Sequence, residues 1–117
     1  MYYASAKHAR TYRNVTKGHR YPPRTLATLF LLTADRGLWR HWRRAVTKQG
    51  VDWEIKIPRP GFDPDACCLE KAALSLACRD HPQVTLHDLA DCTAYPTQLI
   101  LLVLRALLIA RGEGKPP

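Results

Sequence analysis

Asp35-Arg36-Gly37-Leu38-Trp39-Arg40-His41-Trp42-Arg43-Arg44-Ala45-Val46 is the stretch that sets the fold class. At 100° per residue, Leu38, Trp39, Trp42, Ala45 and Val46 fall on one face, and Arg36, Arg40, Arg43 and Arg44 fall opposite. Asp35 stands where a helix cap belongs, so the pattern predicts an amphipathic helix over Arg36–Val46. Upstream, Pro22-Pro23 blocks helix formation before it, and Thr25 caps a helix through Leu26, Leu29, Phe30 and Leu32 to Ala34.

Downstream, Val51, Trp53, Ile55 and Ile57 alternate with Asp52, Glu54 and Lys56, which predicts a short strand over 51–57. A lone strand needs a partner, and the N-terminal segment is the candidate. Pro58-Arg59-Pro60-Gly61 ends it. Asp63-Pro64 opens a helix reaching Arg79 and burying Leu69, Ala73, Leu76 and Ala77. Thr85 with Asp88 forms a capping box for a helix over Leu86–Cys92, and Pro96-Thr97 starts a last helix that Gly112 ends. The expected fold is a compact, mainly α domain of four or five helices with one short β segment near residues 51–57.

The chain has 117 residues and is 46% apolar, the size and composition of one globular domain. Residues 1–24 read as a basic, aromatic N-terminal arm with some flexibility, 25–112 as a single helical domain, and 113–117 as a flexible tail. The start lacks a secretory pattern, and the apolar run Leu99–Ala110 falls short of the ~20 residues a membrane span needs. Cys67, Cys68, Cys78 and Cys92 therefore read as reduced thiols of a cytoplasmic protein.

The charge is +8, and its distribution says more than its size. Residues 1–50 hold eleven Lys or Arg against the single acid Asp35, a net +10; residues 51–117 hold seven against nine acids, a net −2. Such asymmetry draws the first half toward polyanions. The candidate phosphate contacts are Lys7, Arg10, Arg13, Lys17, Arg20, Arg24, Arg36, Arg40, Arg43, Arg44 and Lys48, because guanidinium groups bond phosphate in a bidentate way. Tyr2, Tyr3, Tyr12 and Tyr21 are candidates to stack on unpaired bases. The competing reading is a solvated basic surface with its tyrosines in the core.

Thr85–Gln98 followed by Leu99–Leu107 has the order and length of a helix-turn-helix, with Ala94 where the turn usually has Gly. Its second helix offers only Thr97 and Gln98 to base edges, so it reads as scaffold. Cys78, His81, His87 and Cys92 could supply four zinc ligands, but their spacing matches no standard zinc module, and no metal is expected. No phosphate-cradling glycine loop, Gly-x-Ser-x-Gly elbow or His-Glu-x-x-His occurs, so neither an enzyme nor a cofactor is expected.

Leu29–Asp35, Thr85–Asp91 and Ala106–Arg111 resemble a family of small uncharacterised bacterial proteins associated with phages and mobile elements. The resemblance covers Leu26–Arg111 and implies a bacterial cytoplasm and a mobile-element setting, with no catalytic residues to transfer. Two functions follow as expectations. One is a non-enzymatic nucleic-acid-binding accessory protein. The other is a protein-binding module, such as a phage-encoded, anti-CRISPR-like inhibitor of a host defence nuclease. The partner is accordingly nucleic acid or a nucleic-acid-binding protein, with no membrane; the apolar last helix is compatible with a homodimer.

Overall fold

The structure is a computed structural model that describes residues 3–78, 84–91 and 96–113. Among these residues it is mainly α, with six helices and one two-stranded antiparallel sheet. The centre is α2 (Pro23–Leu32), in which every residue from Ala27 to Leu32 is buried. A helix apolar on nearly every side must be covered by neighbours. Here α4 (Pro64–Ala77) and α6 (Thr97–Ala110) make the largest contacts with it. Pro23 takes the first helical position, where its missing N–H costs nothing and its fixed φ is already helical. The cap is therefore Pro22, three residues before the expected Thr25.

Residues 6–16, read from sequence as part of an arm, form α1 (Ala6–Thr16) and pack on α2. Ser5 caps it by accepting the His8 N–H. Its buried face is His8, Ala9 and Tyr12. His8 Nε2 lies 2.7 Å from the Phe30 carbonyl, and the Ala4 N–H donates to Nδ1 at 2.9 Å. Only the neutral ring protonated at Nε2 satisfies both partners. Burial pushes the His8 pKa below its ordinary 6.5, against the opposing pull of the Phe30 carbonyl. Tyr12 is 1% exposed and stands edge-on to Phe30, and burial raises its phenol pKa to about 12, helped by Tyr3. Tyr12 and Tyr21 are thus core residues and do not reach bases.

Asp35 caps α3 (Arg36–Trp42) as expected, accepting the Leu38 N–H at 2.9 Å. The helix stops four residues short of Val46. A 3-10 turn over Arg43–Ala45 follows, then a hairpin of β1 (Val46–Thr47) and β2 (Gly50–Val51). The strand expected over 51–57 is therefore only begun, and its partner is the chain immediately before it. Val51, Trp53, Ile55 and Ile57 do alternate half-buried with exposed neighbours. The period marks a chain lying on the core, but among the described residues no second strand extends alongside to continue the ladder.

α3 is fastened by a buried carboxylate that sequence alone gave no reason to expect. Glu70 of α4, 8% exposed, accepts from Trp42 Nε1 and from Arg59 Nη2, each at 2.7 Å. His41 stands edge-on to Trp42 and Phe62, and burial, with nearby Arg59, lowers its pKa.

The remaining caps follow the sequence. Asp63 accepts the Ala66 N–H, and Thr85 and Asp88 form the capping box of α5 (Leu86–Ala90). The last helix ends in a Schellman arrangement, with Gly112 N–H to the Ile109 carbonyl and Glu113 N–H to the Leu108 carbonyl. Gly112 sits at φ +77°, a conformation that side-chain-bearing residues enter only at a cost.

Candidate nucleic-acid interface

The side of α1 that faces away from the core lies across from α3. Lys7 and Thr11, one turn apart, look toward Arg36, Trp39, Arg40 and Arg43 over a hollow of about 360 Å³. A second, shallower hollow continues from it along Asn14, His19, Tyr21 and Lys48. Trp39 and Arg43 line both, so the two form one groove.

Lys7, Arg36, Arg40, Arg43 and Lys48 border this groove, all exposed, and among the described residues no Asp or Glu lines it. Among the described residues none of the five is in an ion pair, whereas Arg59 pairs with Glu70 and Arg111 with Glu113. The nearest acid in sequence, Asp35, holds the α3 cap. Uncompensated like charges around a concavity raise the local concentration of anions.

The other sequence candidates are placed less uniformly. Arg10 and Lys17 are exposed on α1 and at its end, on the flank beside Lys7, while Arg20 is exposed in the loop after it. Arg13 turns over the Tyr3 ring, 5.6 Å from its centroid. Arg44 is exposed but does not line the groove. Arg24 lies apart and donates to the Leu76 carbonyl at the end of α4. Five of the eleven candidates therefore line one groove.

Trp39 is the residue that the sequence reading assigned to the core face alone. It is half-buried, with part of its ring packed on the core and the rest forming the groove wall. Its position carried a usable clue. Trp39 follows Arg36 by three residues and precedes Arg43 by four, which makes them neighbours on a helix surface. His19 is the other addition: it is exposed and stacks on Tyr21 with centroids 5.0 Å apart and planes 22° from parallel. Tyr21 is itself fixed by donating its hydroxyl to the Thr47 carbonyl at 2.8 Å.

α6 has the apolar character expected of it as scaffold in the helix-turn-helix reading. Leu99, Leu102, Val103, Ala106 and Ile109 are buried, and the outward side shows Leu101, Leu104, Leu107 and Leu108. The turn itself, with Ala94, lies outside the described residues. His81 and Cys92 do too, and among the described residues no three His, Cys, Asp or Glu side chains gather as metal ligands. No helix among them is long and apolar enough to cross a membrane. Comparison with protein families, curated proteins and solved structures gives no match to this chain.

Proposed function

We propose that this chain is a non-enzymatic accessory protein that binds nucleic acid through the α1–α3 groove, in the bacterial mobile-element setting its sequence resemblance implies. The observation that carries this reading is the set of five exposed, unneutralised cations around one acid-free groove. Phosphate neutralisation releases counterions, so five such contacts give a slope of log affinity on log salt of roughly −3.5 for a single strand and −4.5 for a duplex.

The test is fluorescence anisotropy with labelled random-sequence oligonucleotides from 50 to 200 mM salt. Replacing Arg36, Arg40 and Arg43 together by Ala should abolish binding at 150 mM salt and flatten the slope by about 2 to 3. Arg24→Ala, remote from the groove, should change affinity less than twofold. Absence of binding to DNA and RNA at 50 mM salt refutes the proposal. It would favour the second reading, a protein-binding module such as an inhibitor of a defence nuclease. That reading draws on the same cations and on the exposed leucines of α6.

A further inference from the structure

Cations alone do not distinguish paired from unpaired nucleic acid. The rings in this groove do. Trp39 forms the wall shared by both hollows, with Arg36 and Arg43 one turn away on either side. Along the second hollow stands the exposed His19 ring, backed by Tyr21, which is buried and hydrogen-bonded through its hydroxyl. The groove thus combines π-surface, from the Trp39 indole and the His19 imidazole, with positive charge, from the Arg43 guanidinium and the Lys48 ammonium.

A side-chain ring stacks on a nucleobase only where that base's face is uncovered, as in single strands, loops and ends. In a duplex both faces are taken by neighbouring base pairs, and what remains outside is phosphate, sugar and base edge. The hollow beside Trp39, about 360 Å³, is at the small end of ligand clefts and suits one splayed nucleoside unit. α6 turns Leu101, Leu104, Leu107 and Leu108 outward, which leaves only Thr97 and Gln98 at its start as polar groups for a major groove.

Building on the nucleic-acid reading above, we infer that the groove selects unpaired nucleotides, stacking bases on Trp39 and on the outer face of His19 while Lys7, Arg36, Arg40, Arg43 and Lys48 take the phosphates. Bases are read by their π-faces, so binding tolerates sequence. The polarity of Thr11 and Asn14 on the opposite wall suits sugar and phosphate oxygens.

The decisive probe holds charge constant and removes the bases. Unmodified protein is titrated with a labelled thymidine decamer, an abasic decamer of the same length, a uridine decamer and a ten-base-pair duplex, at 100 mM salt. The expected order places both single strands with bases at least tenfold tighter than the abasic strand. Stacking of one base is worth a factor of about 5 to 150. Trp39→Leu should lose that factor on thymidine while shifting abasic affinity less than twofold, and Trp39→Phe should recover most of it. His19→Ala, at an exposed position, should lose a smaller part of the same preference while Tyr21 keeps its hydrogen bond to Thr47, so the comparison stands even where Trp39→Leu unfolds the chain. A deoxyuridine decamer set against the uridine decamer, the two differing only at the 2′-OH, tells whether DNA or RNA is the source.

Equal affinity for the thymidine and abasic strands overturns the inference, as does a duplex binding as tightly as a single strand. In both cases the steep salt dependence would persist, leaving the polyanion reading standing. Failure of every probe to bind at low salt removes both.

Discussion

Truncating Glu70 should unfasten α3 from the core, and the size of the effect can be worked from its partners. The carboxylate accepts Trp42 Nε1–H at 2.7 Å while only 8% exposed, and a hydrogen bond to a buried charge contributes about 1.5–3 kcal/mol. The bond from Arg59 is of equal length, but the Arg59 side chain is 52% exposed, so solvent screening reduces that pair to under about 1 kcal/mol. Losing the buried methylene adds about 0.8 kcal/mol. Glu70→Ala should therefore cost about 3–4 kcal/mol, a large share of the 5–15 kcal/mol typical of whole domains. At about 4 °C per kcal/mol for a domain of this size, Tm falls by roughly 12–16 °C. Glu70→Gln keeps one acceptor for the indole and should cost about 1–2 kcal/mol, and Arg59→Ala less than about 1 kcal/mol. Urea denaturation followed by tryptophan fluorescence measures all three. The argument is refuted if Arg59→Ala costs as much as Glu70→Ala, or if Glu70→Ala lies within 0.5 kcal/mol of the parent.

Acid should weaken the fold through His8. Because its native pKa lies below 6.5, the unfolded chain takes up a proton first. Stability is then full above pH 7 and falls as pH drops through 6.5 toward the native value, by up to about 1.4 kcal/mol per pH unit. His8→Phe should be less stable at pH 7.5, with the Ala4 N–H losing its acceptor and the Phe30 carbonyl left with Thr33 Oγ1 alone, yet lose less between pH 7.5 and 5.5; His41, shifted in the same direction, contributes to the slope that remains. Equal acid sensitivity in urea melts of the two proteins would count against this account. At the end of α6, Gly112→Ala should cost about 1–2 kcal/mol, because a side chain at φ +77° meets the following carbonyl. Thermal melts monitored by circular dichroism decide it, and an unchanged Tm would mean that the Schellman end is not formed in solution.

The parts of this fold that were legible in the sequence are those written locally. Asp35, Asp63-Pro64, the Thr85–Asp88 box and Gly112 each act within a few residues, and each does what its type and position predict. What escaped depends on distant partners. α1 has no aliphatic stripe; its inner face of His8, Ala9 and Tyr12 becomes a core face only because Phe30 offers a ring and a carbonyl to meet it. Glu70 reads as an ordinary helical surface residue until Trp42 and Arg59 are brought beside it. The half-strand after Gly50 kept its period of two without earning a ladder. Charge gave away the basic half, but gathering five cations from positions 7 to 48 around one hollow required α1 to dock across from α3.

The wrapping of α2 by helices from the far end of the chain has a consequence for birth on the ribosome. Its six consecutive buried residues leave the tunnel long before α6, their last cover, has been translated. At 5–20 residues per second the delay is on the order of 4–16 s. For that interval the nascent protein carries a bare greasy rod, and it depends on chaperones or on slow company from α1 and α4 to avoid clumping. Slowed translation past Thr97 should therefore lower soluble yield more than the same pause placed before Pro23.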